Sequence, residues 1–388
     1  MWPNHQNDQA ETVLMNLRRG AGIKGLCGMR SKSWCPTFAD ESVKCKVERS
    51  FEVNKLKVER VPLIRPLLCT THDYICHYLR DIRHMDWVED STNSDTKYRR
   101  NAIREELKSY SKAEIEHIAK TAEIMQQFVK EHTKHYGIIG KPLEHSFSKQ
   151  WFTEFFDKNH ILADYQEFQL DLYVTENGEE ELNLDACTIL DKLNGFNVTY
   201  PYKENFVHDC VILEDPIAQK IGAANVVKVG EYDEMTEGNI YYGYNTDWIG
   251  FTKAIKPLLT KTDKKALILG TGGAAKAVNY ALHKLGIKTQ FVSRDAQKGL
   301  PYSALTADIL HEYTIIVNCT PLGMYPNENQ CPAIPYEYID DRHLLFDCIY
   351  NPAETLFLRQ GKERGARISN GLKMLEEQAK ATWEIWKD

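Results

Sequence analysis

Ala266-Leu267-Ile268-Leu269-Gly270-Thr271-Gly272-Gly273-Ala274-Ala275-Lys276-Ala277 is the stretch on which the fold turns. A short apolar run, a glycine turn and an apolar-periodic segment ending near Leu285-Gly286 predict strand, tight loop and helix, the opening of a dinucleotide-binding βαβ unit. Gly270 permits the tight turn and Gly272 lets backbone approach a pyrophosphate. Gly273 and Ala274 follow in the same loop, and Ala275 is small enough for close helix–strand packing. The first N–H groups of the helix are unpaired and carry partial positive charge, which suits a phosphate. A β–α turn that binds nothing can carry the same glycines; the strand and helix on either side favour the binding reading.

Downstream, Lys288 to Val292 predicts the second strand of the unit. Its end decides between dinucleotides, because an acidic side chain there holds a ribose 2′-hydroxyl and an arginine accommodates a 2′-phosphate. The chain reads Ser293-Arg294-Asp295-Ala296-Gln297-Lys298. Arg294 comes first and Lys298 is within reach, which points to NADP; Asp295 is the dissenting residue, and a plain surface arginine is the competing reading. Two further buried strands are expected at Thr314–Pro321 and Leu344–Tyr350. Their carboxyl ends, with Thr320 and Cys348, would line the nicotinamide side of the cleft together with Gly371. A final amphipathic helix is expected from Leu372 to Trp386.

Upstream, Tyr136-Gly137-Ile138-Ile139-Gly140 predicts a strand, then Ser146-Phe147-Ser148 a hydroxyl-bearing loop, then a helix through Trp151, Phe152, Phe155 and Phe156. Two serines at a helix start can donate to a carboxylate, or can simply cap the helix. Leu193-Asn194-Gly195-Phe196-Asn197-Val198-Thr199 predicts a strand stopped by Pro201. Lys203 lies just past its end, where α/β folds put their ligands. With Asn225 and Asp247, also at element ends, it forms a cation, amide and carboxylate set able to converge on a hydroxylated substrate.

These strings together resemble shikimate dehydrogenase. The similarity runs from Tyr136 to the C-terminus and includes Asn197-Val198-Thr199 with Lys203, Gly222 to Asn225, Asn245-Thr246-Asp247 with Gly250, the glycine loop, and Asn318-Cys319-Thr320-Pro321-Leu322-Gly323-Met324. It continues in Asp347, in Tyr350 with Pro352, and in Gly371 to Gln378. The resemblance implies a two-domain α/β architecture, a substrate domain of residues 136–246 completed by 371–388 and a Rossmann NADP domain of residues 247–370. It implies that Ser146 and Ser148 bind the substrate carboxylate, that Thr199, Asn225, Tyr350 and Gln378 surround the ring hydroxyls, and that Lys203 and Asp247 are the catalytic pair. The implied reaction is the NADP-dependent, reversible reduction of 3-dehydroshikimate to shikimate in chorismate and aromatic amino acid biosynthesis. Quinate, with one more hydroxyl, is a rival substrate.

The first third differs in character. Residues 1–134 hold 23 Lys+Arg against 19 Asp+Glu, and the remainder 25 against 36, so a mildly basic segment precedes an acidic one. A helix is expected near Asp8–Leu17, closed by Arg18-Arg19-Gly20, with a strand pair within Lys44–Val61, a helix at Thr71–Arg83 and an amphipathic stretch from Asn101 to about Glu131. His5-Gln6-Asn7-Asp8-Gln9-Ala10-Glu11-Thr12, the Arg18–Gly28 run, Arg65-Pro66-Leu67-Leu68, Trp87 to Asn93, and Tyr98-Arg99-Arg100-Asn101-Ala102-Ile103-Arg104 resemble tRNA(Ile)-lysidine synthase. The family's Ser-Gly-Gly-x-Asp-Ser ATP loop would precede His5 and is absent, and Asn7 stands where the family usually has an aspartate. A truncated, mainly helical segment without that catalysis is therefore expected. Arg99, Arg100 and Arg104 could touch tRNA phosphates or form a solvated basic face, and the charge balance allows nucleic acid without demanding it.

Across 388 residues the composition, 43% hydrophobic and 27% charged, is that of a globular chain of two or three domains with no apolar run as long as a membrane span. The start, Met1-Trp2-Pro3-Asn4-His5, lacks a basic region followed by an apolar core, so a cytoplasmic location is expected. The ten cysteines lack C-x-x-C spacing, which favours reduced thiols over disulfides or zinc, and no metal site is expected. Monomer and homodimer both stay open.

Overall fold

The computed structural model describes the chain apart from residues 1–5, 31, 37–59, 66, 67, 69, 71, 86–96, 98, 142, 144, 145, 170, 171, 175–179, 183–188, 200, 201, 204–211, 214, 234–237 and 388. It divides into two units, Met1–Thr133 and Lys134–Asp388.

In the first unit, α1 (Gln6–Arg18), α2 (Ile23–Leu26), β1 (Lys32–Pro36), β2 (Arg60–Ile64), α3 (His72–His77), α4 (Arg99–Leu107) and α5 (Lys112–His132) follow one another, with a π turn, Tyr78–Ile82, continuing α3. The expected strand pair within Lys44–Val61 lies almost wholly outside the described residues; the observed pair is β1 antiparallel to β2, Lys32 opposite Ile64. The amphipathic stretch from Asn101 is two helices. Ser111 divides them, because its side chain accepts from the Glu114 N–H while the Glu114 side chain accepts from the Ser111 N–H, a capping box that starts α5 afresh. Ala10, Ile103 and Leu107 form the buried centre of this unit, with Leu14, Met15 and Ile118 packed against them.

The second unit contains two sheets. The first strand, β3 (Lys134–Ile139), is followed by α6 (Phe147–Lys158), β4 (Ala163–Phe168), β5 (Leu172–Val174), β6 (Glu180–Leu182), β7 (Gly195–Val198), α7 (Pro216–Ile221), β8 (Val226–Asp233) and β9 (Gly238–Tyr244). The five-stranded sheet has the order β4-β3-β7-β8-β9. Its first three strands are parallel, while β8 and β9 return antiparallel, Val226 opposite Tyr244. Then come α8 (Asp247–Ile255), β10 (Lys265–Leu269), α9 (Gly273–Lys284), β11 (Lys288–Ser293), β12 (Leu300–Pro301), α10 (Ala307–Glu312), β13 (Ile315–Asn318), β14 (Leu344–Asp347), α11 (Leu356–Lys362), β15 (Arg367–Ser369) and α12 (Leu372–Trp386). Their six-stranded sheet has the order β12-β11-β10-β13-β14-β15, parallel throughout. Counted from β10 this is 3-2-1-4-5-6, the doubly wound order whose reversal point lies between the first and fourth strands.

Central strands of a parallel sheet covered on both faces should be apolar throughout, and they are. Leu267, Ile268, Leu269, Ile315, Ile316, Val317, Leu344, Leu345 and Phe346 are all fully buried. The last helix crosses from one sheet to the other. Met374 joins the core beneath the six-stranded sheet, whereas Ala379 and Trp386 join Tyr136, Phe152 and Phe156 beneath the five-stranded one. Trp386 stacks on Tyr136 at 4.6 Å and its indole N–H donates to the Val227 carbonyl, which satisfies its one polar atom inside an apolar cluster.

Candidate functional site

One cleft in the second unit is lined by the carboxyl ends of strands from both sheets and by the start of α12. Ile138, Val198, Met374 and Leu375 supply apolar wall; Ser148, Asn197, Thr199, Lys203, Asn225, Asp247, Tyr350 and Gln378 supply polar groups; Ala274, Cys348 and Gly371 close it on the side of the six-stranded sheet.

Lys203 is delivered by a turn rather than by a strand. The Tyr202 N–H donates to the Thr199 carbonyl, and the Tyr202 ring is buried among Leu190, Phe196 and Val198. That anchor, one residue before Lys203, holds its ammonium at the cleft, where Nζ donates to Asp247 Oδ2 at 2.6 Å. Asp247 is the first residue of α8, where the helix dipole favours a carboxylate. The lysine side chain keeps 21% of its surface and the aspartate 8%, so the pair is shielded from water but not sealed.

A chain of unambiguous donors fixes the two amides beside this pair. The Thr246 backbone N–H donates to Asn225 Oδ1 at 2.7 Å, which turns Asn225 Nδ2 toward Asp247 Oδ1 at 2.9 Å and Thr246 Oγ1 at 3.0 Å. That Nδ2 also lies 3.2 Å from Gln378, which must therefore present its oxygen, and Thr246 Oγ1 lies within 3.2 Å of the same oxygen. With Oε1 held inward, the Gln378 NH2 is left as the group available to the cleft. Thr382, fully buried, closes the network by donating to the Gln378 carbonyl.

The serines part company. Ser148 is buried and lines the cleft, hydrogen-bonded to Tyr165, whose hydroxyl donates to Asn197 Oδ1 at 2.7 Å and whose own ionisation is pushed well up by burial. Ser146 stands at the N-cap of α6 without a side-chain capping bond and outside the cleft lining. Tyr350 bridges to this loop by accepting from the Phe147 N–H at 3.3 Å, and burial raises its hydroxyl's pKa.

On the other side, Gly270 has φ +106°, a backbone conformation other residues adopt only under strain, and its N–H donates to the Val292 carbonyl. Gly272 caps α9 with no side-chain bond, which leaves the first N–H groups of the helix without an intrahelical partner, and Ala274 in that first turn lines the cleft. A Cβ on Gly273 would lie 3.2 Å from the Lys203 Cβ, which sets the glycine turn directly against the lysine. Ala275 is fully buried under the sheet, as its size allows.

The residues after β11 are exposed. Asp295 is occupied locally: Oδ1 accepts from the Gln297 N–H at 2.9 Å, and its own N–H donates to Ser293 Oγ at 3.1 Å. The dissenting carboxylate thus shapes the turn that presents Arg294 and Lys298. Thr320 is similarly engaged, its hydroxyl donating to Asn318 Oδ1 at 2.7 Å. Asn318 in turn donates to Asp347, which also accepts from Thr355; burial pushes the Asp347 carboxyl up to about 6.

Reading the sequence missed Asn197, Thr246, Asn318 and Thr382 as supports, and Met374 and Leu375 as wall. The last two were detectable, because they lie four and three residues before Gln378 on one helix face. In the first unit, Arg100 and Arg104 converge on Glu11, itself only 4% exposed, at 2.9 and 2.7 Å, and both reach Asp8. Both are ion-paired, and both keep part of their surface, 45% for Arg100 and 32% for Arg104. No group of His, Cys, Asp and Glu able to hold a metal, and no helix long and apolar enough to cross a membrane, occurs among the described residues.

A doubly wound sheet with an open glycine turn, facing a second α/β sheet across a cleft that holds a lysine–aspartate pair, defines a dinucleotide-dependent oxidoreductase of two-domain α/β architecture. Residues 138–227 match the family model of the shikimate dehydrogenase substrate binding domain, and residues 2–126 that of the PP-loop domain. The shikimate dehydrogenase (NADP(+)) of Caldicellulosiruptor saccharolyticus is 34% identical over 267 residues, covering 65% of this chain and 91% of the relative; that of Aquifex aeolicus is 34% identical over 263 residues, covering 66% and 91%. Among solved structures, shikimate dehydrogenase from Aquifex aeolicus matches with a TM-score of 0.54 at 32% identity, over 66% of this chain and 92% of that one. Shikimate 5-dehydrogenase from Thermus thermophilus in complex with NADP(H) and shikimate matches with a TM-score of 0.53 at 27% identity, over 65% and 93%. The chain belongs to the shikimate dehydrogenase family, with a PP-loop domain segment at its N-terminal end.

Proposed function

We propose that this protein is an NADP-dependent shikimate dehydrogenase, interconverting 3-dehydroshikimate and shikimate in chorismate and aromatic amino acid biosynthesis. The observation that carries the reading is the Lys203–Asp247 pair, 2.6 Å apart and set against the glycine turn. The residues present fit a 2′-phosphorylated dinucleotide: open N–H groups at the start of α9 suit the pyrophosphate, and Arg294 with Lys298 suits the extra phosphate. NADPH, when bound, supplies the hydride. As the ketone of the substrate becomes an alcohol, negative charge grows on its oxygen, and the Lys203 ammonium both stabilises that charge and delivers the proton. Asp247 holds the ammonium in place by a charge-assisted bond and takes part in proton movement in the reverse direction. Ser148, with Ser146 at the helix start, is assigned to the substrate carboxylate, and Thr199, Asn225, Tyr350 and the Gln378 NH2 to the ring hydroxyls.

The division of labour we infer follows the sheets. Residues 136–246 with 371–388 carry substrate, residues 247–370 carry cofactor through Gly270, Gly272, Gly273, Ala274, Ala275, Ser293, Arg294, Lys298, Thr320, Cys348 and Gly371, and residues 1–134 stand apart from the reaction. The described cysteines are free thiols, which suits the cytoplasm. A second reading, RNA modification or tRNA binding through the first unit, is favoured by the match to the PP-loop domain and opposed by the pairing of Arg100 and Arg104 with Glu11. The test is shikimate oxidation with NADP+. Lys203→Ala should lower turnover by about 10²–10⁴-fold while NADPH still binds, since general acid–base catalysis is worth that much. A wild-type chain inactive on shikimate would overturn the reading, and a higher kcat/KM for quinate would transfer it to that substrate.

A further inference from the structure

Two thiols stand side by side at the edge of the cleft, and one of them, Cys348, lines it. Asn318 and Asp347 are paired across adjacent parallel strands, so Cys319 and Cys348, one residue further on each strand, are lateral neighbours with their sulfurs 3.7 Å apart. The Cys348 N–H donates to the Asn318 carbonyl at 3.0 Å and the Cys319 N–H to the Leu269 carbonyl at 2.9 Å, so both backbones are tied into the sheet. Neighbouring strands lie about 4.8 Å apart, within the Cα separation of about 4.4–6.8 Å that a disulfide accepts. Closure needs the sulfurs to move from 3.7 Å to about 2.0 Å, which side-chain rotation must supply. Both residues are partly exposed, and Cys348 lines the cleft beside Ala274 and Gly371, where the cofactor is assigned.

We propose that Cys319 and Cys348 form an oxidisable dithiol, closed to an intramolecular disulfide by a hydroperoxide and shielded by a bound dinucleotide. The shielding half of this rests on the cofactor assignment above; the closure does not. Hydrogen bonding to Cys319 and burial hold the Cys348 thiol well up; either sulfur can open the sequence, with the same balance. When it is Cys319, its thiolate sulfur takes the distal oxygen of hydrogen peroxide, the O–O bond breaks, and the released hydroxide takes up the thiol proton as water. The Cys348 sulfur then displaces the oxygen of the resulting sulfenic acid, its own proton leaving with that hydroxyl as a second water. Two thiols lose two electrons and two protons, and one peroxide becomes two waters. The bridge joins the ends of β13 and β14 under the dinucleotide path and withdraws the Cys348 sulfur from the cleft wall, so cofactor binding weakens until a dithiol reductant restores it.

The full chain is treated with hydrogen peroxide, with and without saturating NADP+, then alkylated, digested and mapped by mass spectrometry, with NADP+ binding measured separately by titration. The expected product is a peptide pair joining 319 to 348, lighter by two hydrogens, reversed by dithiothreitol and slowed at least fivefold by NADP+. Cys319→Ala should abolish the cross-link and the peroxide-dependent loss of NADP+ affinity, each scored against the same variant untreated. Sulfinic acid at either cysteine without a cross-link, or no reaction, overturns the proposal. A cross-link that forms equally fast although NADP+ binds overturns the shielding. A cross-link that forms in a chain that does not bind NADP+ leaves the dithiol standing and instead sinks the cofactor assignment.

Discussion

Arg294→Ala isolates the assignment of NADP over NAD. The side chain is exposed just after β11 and makes no hydrogen bond or ion pair among the described residues, its charge acting on the Tyr302 hydroxyl. Its removal therefore strips no packing from the sheet. A hydrogen bond to a charged group is worth about 1.5–3 kcal/mol. Exposure to solvent and salt puts this one at the low end, about 1.5 kcal/mol, or roughly tenfold in an equilibrium constant. The expected result is a roughly tenfold fall in kcat/KM for NADP+ with NAD+ changed less than about twofold. Lys298→Ala should add a smaller loss, because an ammonium meets phosphate as a point charge rather than with a planar fork. Initial rates of shikimate oxidation at subsaturating cofactor measure both, and raising the salt should narrow the wild-type preference for NADP+. Equal losses on the two cofactors, or a double variant that keeps the preference, would refute the assignment.

Glu377 accepts from Lys380, Lys373 and Lys253, which together hold its carboxyl down to about 2. A depressed carboxyl adds stability that is fully present above its unfolded pKa near 4.5 and is lost as pH falls toward 2. Glu377→Gln should flatten that part of a denaturation-midpoint profile, and an unchanged slope between pH 5 and pH 2 would count against it. Asp263, its side chain fully buried, accepts from Thr260, Thr314 and Arg367, tying the loop before β10 to β15. Asp263→Ala should cost about 3 kcal/mol, the low end for breaking a buried pair, and lower the melting temperature of this unit by roughly 6–12 °C. A shift under about 2 °C in calorimetry would show the pair to be dispensable. In the first unit, Arg104→Ala should speed amide exchange in α1 and α4 by uncovering Glu11, without weakening whatever affinity the full chain has for tRNA; lost affinity with unchanged exchange would revive the phosphate-contact reading.

The primary structure by itself determined the local order of this protein: strand, glycine turn and helix at Gly270, the element ends near which Lys203 and Asp247 lie, the last helix, and the two families its segments resemble. These are readable because a strand repeats every two residues and a helix every 3.6, and because glycine and proline punctuate both. What only the tertiary structure decided is how polar groups far apart in the chain use one another. Asn225 and Gln378 are separated by 153 residues, and the direction in which each amide points follows from a backbone N–H that sequence cannot orient. Arg104 looked available for phosphate until the packing of α1 against α4 gave it Glu11, and Asp295 looked like a vote for NAD until its turn engaged the carboxylate. Cys319 and Cys348 became neighbours only when β13 and β14 paired in register. Periodicity is written along the chain, but which donor meets which acceptor is settled by through-space geometry that exists only once the sheets have formed.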